Sequence, residues 1–195
     1  MSYELKKLFY TPLWEFNFEN QRELNRKLLI DEMQQFPDDV DFFDLPGEGI
    51  AELKRQVLDS VKIIANENGW PTEHIITRCS SNTVKQNQFD SAHFHYEADL
   101  IGVYYVYVRD NCGDILLNDV RGHVASIWQT EKYTNRGKSS RAFHRITPKA
   151  GKLILFPNYV VHSVEPNYSD DNRISIIFDF KFRSSKEQTI YNEPV

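Results

Sequence analysis

A chain of 195 residues with a formal charge of −5 has the size of one domain with an ample hydrophobic core. That mild charge implies neither a polyanion nor an acidic membrane surface as a general partner, so no membrane binding and no clear nucleic-acid binding is expected. No apolar run reaches membrane-spanning length and no charged leader precedes an apolar stretch, which makes the cytoplasm the expected compartment.

Near the start, Asn20 and Glu23 have capping-box spacing. Leu24, Leu28, Leu29, Met33 and Phe36 then recur at helical intervals until Pro37 ends the run. A second helix carries Ile50, Leu53, Val57, Val61 and Ile64 on one stripe, with Gly69 before Trp70-Pro71 as its stop. Both stripes read as core. From His74 the period changes to two. Strands are expected at His74 to Arg78, Ala92 to His95, Leu100 to Val108, Asp114 to Leu117, Val124 to Gln129, Ala142 to Ile146, Lys152 to Phe156, Val160 to Val164 and Arg173 to Phe182. Many short strands behind two helices imply a mostly β (α+β) domain: a sandwich or barrel, one face of which the helices cover.

Cys79 and Cys112 form no C-x-x-C pair and read as reduced thiols. Asn167-Tyr168-Ser169 is a glycosylation sequon, read here as a coincidence in a turn. The chain shows no internal repeat, low-complexity tract or linker.

The chemistry concentrates in a few residues. His93 and His95 are two apart, so on a strand their imidazoles share a face and can reach one metal ion. His162 follows the strand over 152–156 and a Pro157-Asn158 turn, and offers a third imidazole. In RISIIFDF, Arg173, Ser175 and Ile177 share one face while Ile174, Ile176 and Phe178 share the other. A guanidinium fork beside a hydroxyl is a good carboxylate receptor. The apolar face, continued by Phe180 and Phe182, is expected to pack under the N-terminal helices and so to fix Arg173 inward rather than against Asp170 or Asp171.

The runs HFHYEADLIGVYYV, GDILLNDVR, PKAGKLILFPNYVVHSVEPN and RISIIFDF resemble the 2-oxoglutarate/Fe(II)-dependent oxygenases, relatives of the prolyl hydroxylases. LFYTPLW near the N-terminus adds to the resemblance, which covers most of the chain. It implies a double-stranded β-helix, the jelly-roll or cupin-like barrel, as a single domain over 1–195, with helices in 1–73 packing on a jelly roll over 74–185. It implies Fe(II), 2-oxoglutarate and O2 as cofactors and cosubstrates, and hydroxylation of a small molecule or a peptide or protein side chain with release of succinate and CO2. Carried over by position, His93 is the first iron ligand, His162 the distal ligand, and Arg173 with Ser175 holds the far carboxylate of 2-oxoglutarate. His95 stands where such families place a carboxylate. The common non-haem iron triad is two His and one carboxylate. Either this chain uses three imidazoles, or Glu97, Asp99 or Asp119 substitutes; Asp119 with Arg121 also reads as a turn or salt bridge.

The segment 121–145 carries Trp128, Lys132, Tyr133, Arg136, Gly137, Lys138 and Arg141, and reads equally as a substrate lid or a solvated hairpin. His123 and His144 at its ends read as structural or exposed. Two other functions stay open: a three-His cupin-like enzyme that does not use 2-oxoglutarate, and a non-catalytic jelly-roll binding module.

Overall fold

The computed structural model describes residues 10–32, 41–121 and 143–183. Met33, Phe36 and Pro37, His123, the strand expected over 124–129 and the basic residues Lys132 to Arg141 lie outside the described residues.

In chain order the elements are β1 (Trp14–Asn17), α1 (Gln21–Glu32), a 3-10 turn (Phe42–Asp44), α2 (Glu48–Asn68), β2 (His74–Val84), β3 (Asp90–His93), β4 (Leu100–Tyr107), β5 (Ile115–Asn118), β6 (Phe143–Ile146), β7 (Lys152–Pro157), β8 (His162–Val164) and β9 (Arg173–Phe182). They form a five-stranded sheet, β1-β7-β4-β9-β2, and a four-stranded sheet, β3-β8-β5-β6. The strand pairs within both are antiparallel.

The helices form where their stripes predict. Leu24 and Leu28 on α1 are buried, as are Ile50, Leu53, Val57, Val61 and Ile64 on α2. Gly49 lets the two helices touch, since a Cβ there would lie 2.8 Å from the Leu28 nitrogen. Gly69 ends α2 at φ 65°, and the Trp70 amide donates to the Ala65 carbonyl at 2.9 Å, the left-handed closure that glycine permits. The expected capping box is replaced by a link between helices. The Asn20 side chain bonds Glu52 and Gln56 of α2, while Glu23 pairs with Arg26.

The middle of the larger sheet is buried on both faces, which is why β4 reads LIGVYYVY without polar alternation. Toward the helices, Leu100 and Tyr104 of β4, Leu153 and Leu155 of β7, and Ile176, Phe178 and Phe180 of β9 join the stripes in one core. Toward the smaller sheet, Ile101, Val103 and Tyr105 meet Ile154 and Phe156, with Ile115, Leu117 and Ile146 opposite, in a second core. Tyr104 fastens the helical layer by donating to Asn25 Oδ1 at 2.6 Å.

Four strands differ from expectation by more than a single residue at an end. β8 opens at His162 instead of Val160. β1 pairs with β7, Trp14 opposite Leu155 through Asn17 opposite Lys152, so the first 73 residues supply a strand as well as helices. β2 runs to Val84 instead of Arg78, because β9 offers a partner along its whole length, from His74 opposite Phe182 to Val84 opposite Arg173. β3 begins at Asp90 and ends at His93, which leaves His95 just beyond the ladder.

Candidate active site

Two strand ends bring the histidines together. His93 closes β3 directly opposite His162, which opens β8, and their ring centroids are 4.3 Å apart. His95 lies past the strand, yet its ring is 5.4 Å from that of His93 and 5.3 Å from that of His162. One ligating nitrogen from each of the three lies within 4.8 Å of the others, the spacing of a metal-binding group.

The hydrogen bonds settle which nitrogen is available. His93 Nδ1 is 2.7 Å from the Ser91 carbonyl, His162 Nδ1 is 3.0 Å from the Val160 carbonyl, and His95 Nδ1 is 2.7 Å from Asp179 Oδ1. Carbonyl and carboxylate oxygens only accept, so each Nδ1 carries the proton and each Nε2 is left as the ligating atom. His162 is buried against Phe156. Burial pushes its ring down to about 4, so the imidazole is neutral near pH 7 and keeps its lone pair.

The rings open on a cavity of about 740 Å³ lined by both sheets, within the usual range for small-molecule sites. Arg173, Ser175, Ile177 and Asp179 line one wall of it, on alternate residues of β9 as strand parity dictates. Arg173 is only 2% exposed, so the inward reading holds and a pairing with Asp170 or Asp171 does not form. Its Nη1 donates to the Cys112 carbonyl at 3.2 Å and the Gly113 carbonyl at 3.4 Å, and its Nη2 is 3.8 Å from Asp90 Oδ2. Its buried Nε has no partner. A guanidinium with an unused donor at a cavity wall has capacity for a carboxylate. Gly113 makes the carbonyl support feasible: at φ 86° it passes so close to Glu165 that a Cβ would strike that residue's carbonyl. Tyr105 joins the same wall; burial, partly offset by Arg173, holds its phenol well above the usual range.

Two of the three alternative carboxylates have other work. Asp99 accepts the Phe182 amide at 2.8 Å. Asp119 is paired with Arg121 in a turn. Glu97 stands exposed while lining the cavity, and none of the three joins the group of ligating atoms formed by the imidazoles. His144 is exposed on β6, and Arg145 beside it pairs with Asp114 and Glu165. Asp179 was the residue missed from sequence, although it continues the alternation Arg173, Ser175, Ile177 by one step. Asp90 gave no such signal, because its approach to Arg173 is made between sheets.

Residues 78–179 match the family described as "Putative 2OG-Fe(II) oxygenase". The chain belongs to that family. Its name supplies the iron and 2-oxoglutarate that the resemblance implied, and the donor set fits both: three free Nε2 atoms for a metal and a buried, under-used guanidinium for a carboxylate. No curated protein matches the sequence. Among solved structures, a prolyl-4-hydroxylase from Pseudomonas putida is similar at 15% identity, with 88% of each chain covered and a TM-score of 0.52. HygX from Streptomyces hygroscopicus, solved with nickel and 2-oxoglutarate bound, is similar at 11% identity over 87% of this chain and 82% of that one, with a TM-score of 0.54. A 2OG-Fe(II) oxygenase family oxidoreductase from Burkholderia pseudomallei is similar at 15% identity over 70% of this chain, with a TM-score of 0.51. This chain spans 57% of that protein's length. These likenesses concern the fold, the double-stranded β-helix formed here by the two facing sheets.

Proposed function

We propose that this protein is an Fe(II)- and 2-oxoglutarate-dependent dioxygenase that hydroxylates its substrate. The observation that carries the reading is one cavity holding three imidazoles with converging Nε2 atoms and, on the next wall, a buried Arg173 with a spare donor. His93, His95 and His162 hold the metal, and Arg173 with Ser175 receives the distal carboxylate of 2-oxoglutarate. When bound, Fe(II) supplies activation of O2, coupled to oxidative decarboxylation of 2-oxoglutarate to succinate and CO2.

The chain's own residues do the positioning. The Ser91 and Val160 carbonyls and Asp179 fix the three ring planes before anything binds, so little reorganisation is left to the loaded state. Ile101, Val103, Ile115, Val164 and Ile177 supply apolar lining, which keeps water from competing inside the cavity. Phe94 and Tyr96 stand exposed where the cavity meets solvent, ring centroids 4.4 Å apart. A small molecule, or a peptide or protein side chain, enters past them. Two buried free thiols, Cys79 and Cys112, support a reducing, cytoplasmic setting. Among the described residues no helix is long and apolar enough to cross a membrane.

The test is anaerobic titration of metal-free protein with Fe(II) and then 2-oxoglutarate, following the visible metal-to-ligand charge-transfer band, with His95→Ala alongside. The band is expected in the parent and lost in the variant. Because three imidazoles replace the usual two with a carboxylate, a three-His enzyme that does not use 2-oxoglutarate is the second reading. Iron binding with no band on adding 2-oxoglutarate would select it.

A further inference from the structure

Three imidazoles put no negative charge on a divalent ion, whereas the common iron triad contributes one through its carboxylate. In this chain a carboxylate stands one hydrogen bond further out. Asp179 Oδ1 lies 2.7 Å from His95 Nδ1, and both side chains are 11% exposed. At that burial a charge is weakly screened and is felt through the ring.

The three imidazoles are not supported alike. His93 and His162 each bond a carbonyl two residues back in the chain, Ser91 within β3 and Val160 just before β8, so local backbone fixes them and the acceptor is neutral. His95 has left the ladder of β3, and its Nδ1 is met by a residue 84 positions away on the other sheet. That residue is firmly placed: Asp179 pairs with Arg78 on β2 and with Ile101 on β4, inside a strand flanked on both sides. The Asn158 side chain adds a bond to the His95 carbonyl at 3.2 Å. The imidazole with the least support from its own strand therefore has the only charged acceptor of the three. A carboxylate accepting the Nδ1 proton fixes the ring's orientation and strengthens Nε2 as a donor.

Building on the iron reading above, we infer that Asp179 is a positioning residue of the metal centre, which aims His95 and supplies through its imidazole the negative charge that the His93, His95, His162 set lacks. Asp179→Asn separates this role from a purely structural one, because the amide keeps an acceptor oxygen of the same shape and loses only the charge.

The experiment titrates metal-free parent, Asp179→Asn, Asp179→Ala, His95→Asp and the double variant His95→Asp with Asp179→Asn with Fe(II) under argon, then adds 2-oxoglutarate and records the charge-transfer band. Asp179→Asn is expected to weaken Fe(II) binding about tenfold or more, and Asp179→Ala further, toward about a hundredfold. With less charge donated, Fe(II) is harder to oxidise, so the band of Asp179→Asn moves to shorter wavelength. In the His95→Asp background the carboxylate is already beside the metal, and Asp179→Asn costs nothing. Parent-like affinity and band position in Asp179→Asn overturn the inference while leaving the iron reading in place. The same loss in the His95→Asp background as in the parent overturns it too, since Asp179 then acts by another route. A parent that binds no Fe(II) overturns the three-His reading itself. Asp179→Asn carries the test if Asp179→Ala does not fold.

Discussion

Replacing Arg173 by Ala measures what its guanidinium does. The side chain is 2% exposed, two of its bonds go to main-chain carbonyls, and its Nε is unpartnered. A hydrogen bond to a charged group contributes about 1.5–3 kcal/mol, so a two-point grip on a carboxylate is worth roughly 3–6 kcal/mol at most. Asp90 already neutralises part of the charge from 3.8 Å, which places the expected loss in the lower part of that range. At 1.4 kcal/mol per decade, the dissociation constant for 2-oxoglutarate should rise about a hundredfold to a thousandfold. The assay is anaerobic titration of the Fe(II)-loaded protein with 2-oxoglutarate and with 2-oxobutyrate, which has the same chelating end and no distal carboxylate. Binding of 2-oxobutyrate should not change, which makes the pair of ligands and the pair of proteins a coupling cycle. Arg173→Lys should fall between, keeping charge without the planar fork. The Ala variant also leaves the Cys112 and Gly113 carbonyls without their donor, at a stability cost of about 1–3 kcal/mol, so a melting curve accompanies the titration. A 2-oxoglutarate constant within about threefold of the parent, or an equal loss for 2-oxobutyrate, would refute the assignment.

Asp90→Asn removes the counter-charge 3.8 Å from Arg173 and should tighten 2-oxoglutarate binding several-fold in the same titration; weaker binding would mean that Asp90 orients the guanidinium rather than competing for it. His162 titrates at about 4 in the fold against an ordinary 6.5 because burial disfavours its charged form. Between those values the unfolded chain binds more protons, so metal-free stability is full above about pH 6.5 and falls as pH drops toward 4, by about 3 kcal/mol. Urea unfolding at pH 7, 6, 5 and 4 checks it, and His162→Phe should flatten that part of the slope. Gly102→Ala would set a Cβ 2.9 Å from Phe178 Cδ2 and 3.0 Å from Leu155 Cδ2, an overpacking cost of about 1–3 kcal/mol, read as a lower urea midpoint.

Much of this protein is legible without coordinates. The stripes of α1 and α2 and the alternation of β9 are periodicities of consecutive residues, and each states which face is buried. That is why Ile176, Phe178 and Phe180 could be assigned to the helical side and Arg173 and Ser175 to the cavity, where they lie. The three histidines and Arg173 were visible as residue types with suitable spacing, although His95 reaches the cluster from beyond the end of its strand. Tertiary structure alone decided who pairs with whom. β1 is four residues long and becomes a strand because β7 has a free edge for it, and the polar stretch from Cys79 to Val84 is held extended by β9. Asp99 and Asp119 stopped being candidate ligands because a backbone amide and an arginine had already taken them. Asp179 and Asp90 acquired their partners across 84 and 83 positions of chain. Side-chain direction repeats within a strand and is written in the local sequence, whereas the neighbour a side chain meets depends on which strands lie side by side, which only the folded sheets fix.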